Sequence, residues 1–454
     1  MLNQTYHSIH TLARIRLLIG SATLALLLGY SSFAKAIPVF ARQTGQNCVA
    51  CHAGGQFPEL TPYGRLFKLT GYTMGSRTVP LSMMAVLDAT KVRNTKDSTG
   101  AKDTADFPKQ NDLLFDFGSI FLAGKITDNL GLFSQVTYAN YDHQKGNGDW
   151  VGHVSPDNSE VRYADRFISP GSDLIVGAFA NNNPSMQDVW NSTPAWGYPY
   201  VGPTFALGPP ASPLLDGGLA QNAVGAGVYA YWDKSLYGEL SMYKTANGTF
   251  SFLHPGDNSG IARIKDGAPY WRLAYTKEFG PHNLMIGTSG LVADIHEGND
   301  VTAPTDRFQD IGLDAQYQYI LDPHTVTAHI SYIHEKTKWG VPFDNASDTL
   351  KELKIKGAYV YNAKYGASLS YNQIAGSSDA ALYGGPGDVS GNLKGSPDAA
   401  FWVPEIFWTP VQYLRVGAQY WHYTKFNGAS SNYDGFGRNA SANDTAFLYV
   451  WGAY

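Results

Sequence analysis

From about residue 80 onward, apolar and polar residues alternate in short runs. In TVTAHISYIH, Val326, Ala328, Ile330 and Tyr332 share one face, and Thr325, Thr327, His329 and Ser331 share the other. IGLDAQYQYI sets Leu313, Ala315, Tyr317 and Tyr319 against Asp314, Gln316 and Gln318. YGELSMYK and YLRVGAQYW repeat the split, the latter with Arg415 and Gln419 opposite Leu414, Val416 and Ala418. Period two means strands, with one face suited to lipid and the other to water. A soluble sandwich would alternate in the same way, so connection lengths have to discriminate. Short turns at 126–130, 169–173, 232–236, 279–283, 321–325, 361–365 and 408–412 alternate with longer connections rich in Gly, Asn, Ser and Asp. That is the plan of an outer-membrane barrel, with short periplasmic turns and long external loops.

The pattern predicts sixteen strands, near 80–93, 112–126, 130–142, 159–169, 172–179, 222–233, 236–246, 268–278, 283–296, 306–320, 324–337, 350–361, 365–376, 398–408, 411–426 and 441–454. The count is even, as a single-chain bacterial barrel requires. The closing run TAFLYVWGAY alternates and ends on Tyr454, at the expected periplasmic rim. The fold class expected is therefore mainly β, a porin-like 16-stranded outer-membrane barrel over 80–454.

Composition supports this by exclusion. Aromatics are 13%, glycines number 48 and charged residues are only 16%. The net charge of -5 comes without a basic patch, so no nucleic-acid partner is expected. Arg14 and Arg16 precede the apolar run LLIGSATLALLL, and Ala34-Lys35-Ala36 offers a small-x-small cleavage site. Residues 1–36 thus read as an export signal, too short to span a bilayer. No second apolar run approaches the length of a membrane helix.

The segment 37–79 carries different chemistry. NCVACHAGG holds the chain's two cysteines, Cys48 and Cys51, followed at once by His52. Cys-x-x-Cys-His is the c-type haem attachment pattern: two thiols at this spacing form thioethers with the two vinyl groups of one haem, while the histidine reaches the iron. A thioredoxin-like pair would need a surrounding βαβ pattern, and zinc would need further ligands, whereas the next histidine is His143. The segment is small for an apolar core of its own, which a covalent haem c would supply. The cofactor expected is one covalent haem c, held by Cys48 and Cys51 with His52 as proximal iron ligand. Met74 is the leading candidate for the sixth ligand, or else packs against the ring. Met83, Met84 and the lumen-facing His329 stand behind it, with Met83 expected to face lipid. Arg42, Arg65 and Lys68 are candidate propionate partners, or else solvated charges. By analogy with small c-type cytochromes, Pro58 is a candidate for presenting a backbone carbonyl to the histidine's free N–H.

IPVFARQTGQNCVACHAGGQFPELTPYGRLFKLTGYTM, Ile37 to Met74, resembles the N-terminal monohaem module of the fused cytochrome-porin proteins of iron-oxidising bacteria. NNNPSMQDVWNSTPAWGYPY, Asn181 to Tyr200, resembles a long loop of the same family. The resemblance implies an α-helical c-type cytochrome module fused to an outer-membrane barrel. It implies oxidation of extracellular Fe(II), with the electron passed to a periplasmic soluble cytochrome or copper carrier. Two other readings use the same parts: a diffusion porin whose haem is structural or sensory, and outward electron export. The long connection 180–221, with seven prolines, is expected to fold into the lumen as a constriction. The alternative places Trp190 and Trp196 at a membrane interface. Asp188 is the loop's candidate ferrous ligand.

Overall fold

The computed structural model describes residues 38–55, 58–255 and 262–454, so the expected leader at 1–36 lies outside the described residues. Alternation along the chain is realised as one antiparallel sheet that closes on itself. Its strands are β1 (Leu81–Val92), β2 (Leu114–Lys125), β3 (Leu130–Gln144), β4 (Trp150–Ser169), β5 (Ser172–Asn181), β6 (Ala223–Trp232), β7 (Leu236–Thr245), β8 (Arg263–Ile264), β9 (Ala268–Phe279), β10 (His282–His296), β11 (Thr305–Leu321), β12 (His324–Lys338), β13 (Ser347–Tyr361), β14 (Tyr365–Gly376), β15 (Ala399–Val411), β16 (Leu414–Lys425) and β17 (Thr445–Ala453). The two-residue β8 only lies against the end of β10, and β7 pairs directly with β9. β1 meets β17 from Met84↔Ala453 to Val92↔Thr445, which closes the ring. With β8 left out of the seventeen, the wall is a closed antiparallel barrel of sixteen strands. Closure removes every unpaired edge, a condition for backbone placed in hydrocarbon.

The two faces differ as the alternation requires. Leu240, Leu273, Ile311, Leu313, Ile406 and Leu448 are exposed on the outside, whereas Glu239, Ser241, Arg272, Asp310 and Gln419 are buried on the inside. Phe167, Trp232, Phe279, Tyr361, Tyr365 and Trp408 are exposed beside the short turns, forming the aromatic girdle of a membrane interface. Leu81 and Ala453 lie at that same rim, so the N-terminal segment enters the barrel from the periplasmic end.

One boundary departs clearly from the alternation. β4 begins at Trp150 rather than near 159, and the β3–β4 hairpin runs out to Gln144↔Trp150. Its polar stretch contains Pro156, which argues against a regular strand. The ladder accommodates the proline by shifting register between Ser134 and Val136.

Three short helices, α1 (Val39–Thr44), α2 (Cys48–Cys51) and α3 (Pro62–Leu69), precede the barrel. α3 starts in the manner its sequence dictates: Pro62 occupies the first turn, and the Thr61 hydroxyl accepts from the Gly64 N–H at 3.2 Å. Gly64 is required for packing, because a Cβ there would lie 2.1 Å from the Cys51 carbonyl oxygen. These helices sit within the lumen. Tyr72 donates to Glu160 on β4 at 2.7 Å, Tyr229 on β6 donates to the Leu69 carbonyl at 2.6 Å, and Arg65 donates to Glu278 on β9 at 2.9 Å.

If the outer face is the lipid face, Leu240→Arg should destabilise the barrel by about 2–4 kcal/mol, the cost of a cation near the bilayer midplane. Urea unfolding from lipid vesicles measures this; an unchanged midpoint would contradict the assignment of faces.

Candidate functional site

Cys48 and Cys51 occupy the two ends of the single turn of α2, with His52 directly after it. The turn is tied down on three sides. The Thr61 N–H donates to the Cys51 carbonyl at 3.0 Å, and His52 bridges to Leu60. The Cys48 N–H donates to Gln412, in the turn before β16, at 3.3 Å. Both thiols and His52 border one cavity of about 290 Å³ between the module and the barrel wall. Phe40 of α1, Phe121 and Phe133 of β2 and β3, Trp451 of β17 and Trp196 of the long loop also border it, so the enclosure is largely aromatic. Burial pushes the Cys48 thiol up, and burial together with the neighbouring Cys48 pushes Cys51 up to about 11. A redox-active Cys pair needs the opposite shift. The two cysteines are free of disulfides. Two thiols and an imidazole on one predominantly apolar cavity form a donor set that fits a covalently held haem c.

The other residues singled out from the sequence divide sharply. Met84 borders the cavity, on the same inward side of β1 as Ser82 and Val86. Met83 also borders it, but its side chain is 54% exposed on the outer face. Met74 does not border the cavity; its carbonyl instead accepts from Gln43 at 2.9 Å. Arg42 donates to the carbonyls of Val79 and Leu81, where the chain enters β1. Arg65 and Lys68 lie one helical turn apart on α3 and turn together to the barrel side. Arg65 donates to Glu278 and Asn283, and Lys68 to the carbonyls of Met186 and Asp188, each at 2.7 Å, and to Asn191 at 2.9 Å. Neither cation is a solvated charge, and neither reaches the cavity bordered by His52. The Pro58 carbonyl accepts from Asn191 at 2.6 Å. His329 is turned to the lumen, as its strand pattern requires. Among the described residues, no three His, Cys, Asp or Glu side chains gather as a metal site.

The long loop between β5 and β6 folds into the lumen, and Trp190 is 1% exposed there, which removes it from any membrane interface. Asp188 explains the fold of the loop. Its carboxylate accepts the N–H groups of Trp190, Ser192 and Thr193 and lies 3.3 Å from Arg272 on β9. It is a structural pivot, with no capacity left for a ferrous ion. Alternation identifies Arg272 as inward-facing, but only the folded loop reveals its partner. Beyond Asp188 the loop crosses the lumen: Tyr198 reaches Ser368 on β14 at 2.7 Å, and the Val201 carbonyl accepts from Gln419 on β16 at 3.1 Å.

Asp188→Ala should therefore strip three N–H groups and one arginine of their acceptor and release the loop. Single-channel conductance in planar bilayers should rise relative to the parent protein; equal conductance would show that Asp188 does not hold the constriction.

No family model and no curated protein matches the chain. Among solved structures, it is similar to an anion-selective porin from Comamonas acidovorans, at 11% identity and TM-score 0.46 over 83% of this chain and 99% of that one. It is also similar to OmpF of Salmonella typhi, at 11% identity and TM-score 0.45 over 82% and 97%. A loop-deletion mutant of OmpT from Vibrio cholerae gives 13% identity and TM-score 0.43 over 83% and 99%. The closed ladder, lipid-facing belt and polar lumen make this chain a porin-like outer-membrane barrel in their own right.

Proposed function

We propose that the chain is an outer-membrane electron-transfer protein, in which one haem c at the periplasmic mouth takes an electron from an extracellular donor. Fe(II) is the donor the family resemblance suggests, and a periplasmic soluble cytochrome or copper protein is the acceptor. The observation that supports this reading is the state of the lumen. Arg162, Asp188 and Arg272 point into the lumen and are all 0% exposed, because module and loop pack over them. Protein packed over these groups narrows the path that a solute would need, while an electron can cross packed protein.

Haem c would supply one-electron redox chemistry at the cavity, and the chain's own residues do the rest. Cys48 and Cys51 would anchor the group, and His52 would ligate the iron from the end of the same turn. Met84 replaces Met74 as the candidate for the opposite face, since Met84 borders the cavity and Met74 does not. Phe40, Phe133 and Trp196 would give the group an apolar surrounding, which together with a thioether ligand would raise its potential.

A second reading, the diffusion porin, is favoured by the porin-like architecture and by an open chamber of about 670 Å³ above the loop. The two differ in what crosses. Oxidised protein in detergent should be reduced by Fe(II) and reoxidised by a soluble periplasmic cytochrome, with haem staining on denaturing gels lost in Cys48→Ala/Cys51→Ala. A haem that stays oxidised under excess Fe(II), combined with solute uptake by liposomes carrying the protein, would favour the porin.

The axial ligand gives a sharper test. Met84→Ala should abolish the methionine-sulfur charge-transfer band and lower the potential, whereas Met74→Ala should leave both unchanged. The reverse pattern would return the ligand to Met74.

A further inference from the structure

The chamber above the loop has a composition that the electron-transfer reading does not use. It lies from mid-barrel toward the external side, since Lys354 stands at the middle of β13 and Glu352 on its external side, and Ile374 and Trp421 stand in the external halves of β14 and β16. The floor is the loop turn Pro194–Tyr198, and that turn has two sides. Pro194, Gly197 and Tyr198 border the external chamber, while Trp196 borders the cavity shared by Cys48, Cys51 and His52. One layer of polypeptide separates the two spaces.

The chamber's chemistry selects against a bare metal ion. Its two carboxylates, Asp216 and Glu352, are both engaged by Lys354, at 2.6 and 3.0 Å. One wall is aromatic. Phe401 and Trp421 stack with ring centroids 5.2 Å apart and an interplanar angle of 16°. The Trp421 indole N–H is fixed on Gln419 at 2.9 Å, and Gly202 sits against the ring edge, where a Cβ would come within 3.0 Å. Pro199, Pro209 and Pro210 add rigid apolar surface, and the Asn372 amide adds a polar group. A volume of about 670 Å³, one aromatic and prolyl wall, and a facing set of fixed polar and charged groups, Asp216, Glu352, Lys354 and Asn372, suit a small molecule with an apolar face and polar substituents.

We propose that this external chamber binds a small planar aromatic molecule bearing carbonyl or hydroxyl groups, of the quinone and quinol class, stacked along Phe401 and Trp421. Binding stands on the chamber alone; its role as donor site rests on the electron-transfer reading. In that role a bound quinol would give up two protons and two electrons, one electron at a time, and leave as the quinone, the one-electron group of the same chain being reoxidised by the periplasmic acceptor between the two transfers. The protons go to the water of the chamber, and the electrons cross the Pro194–Tyr198 layer.

Isothermal titration of purified full-length protein in detergent with 2-methyl-1,4-naphthoquinone tests the site. Saturable binding is expected, weakened about tenfold or more in Trp421→Ala, which removes the stacking wall, and in Ser212→Trp, which fills the chamber without removing a wall. Heat-modifiable mobility on gels shows whether each variant is folded; if Trp421→Ala fails, Ser212→Trp decides. No saturable binding, or unchanged affinity in folded Ser212→Trp, overturns the site. Intact binding with a haem that the quinol cannot reduce leaves the site standing and overturns the electron-transfer role.

Discussion

Inward-pointing charge is the constraint on which the rest of this barrel depends. A strand that turns Leu240 to lipid must turn Glu239 and Ser241 to the lumen, and the same geometry brings Arg162, Arg272 and Arg415 inside, each almost wholly buried. An unpaired buried guanidinium costs several kcal/mol, so each must find an acceptor. Arg162 meets Glu160 on its own strand at 2.8 Å, Arg272 meets Asp314 at 2.8 Å and Asp188 at 3.3 Å, and Arg415 meets Glu405 at 3.0 Å. Two of these pairs are completed by groups that are not barrel wall. Tyr72 of the module also donates to Glu160, and Asp188 of the loop completes Arg272. Module and loop are thereby selected by the electrostatics of the wall as much as by their own packing.

The haem-type site inherits its position from this arrangement. Arg65 and Lys68 fasten α3 to β9 and to the loop. α3 in turn holds Gly64 against the Cys51 carbonyl, and thus orients the turn that carries both thiols and His52. Charges that would otherwise serve a cofactor's propionates are spent on seating the module. The cavity bordered by Cys48, Cys51 and His52 is left without a charged side chain, its lining mainly apolar with a few amides.

Much of this was legible in the chain. Strand positions followed from alternation because a barrel buries one face and exposes the other along every strand, and the closing pair β1–β17 followed from TAFLYVWGAY. The Cys48, Cys51 and His52 cluster was legible because its spacing is local. What failed was everything that depends on partners distant in sequence. Nothing in PYGRLFKL says that Arg65 will meet Glu278 or that Lys68 will meet the Met186 carbonyl. Met74 lay closer to the motif than Met84 in sequence, yet β1 carries Met84 to the cavity and a turn carries Met74 away. Pro156 hid the start of β4, because a bulge that tolerates proline leaves no mark on periodicity.

The long loop decides how the two ends of the barrel communicate. An open porin needs a continuous aqueous path, and here the module stands at the periplasmic mouth of that path and the Pro194–Tyr198 turn stands between the two cavities along it. A plug serving stability alone would not need an aromatic residue facing each side of one turn. Trp196 faces the thiol-bearing cavity and lies under Lys68, 4.7 Å from its ring centroid, while Tyr198 faces the external chamber and lies 4.7 Å from Lys356. Both rings are held by hydrogen bonds, Trp196 to the Met186 carbonyl at 2.9 Å and Tyr198 to Ser368 at 2.7 Å. Two fixed aromatic rings thus stand on opposite faces of one thin layer, one toward each cavity. The loop that narrows the lumen is therefore also the part of the chain that divides its external chamber from the cavity bordered by Cys48, Cys51 and His52.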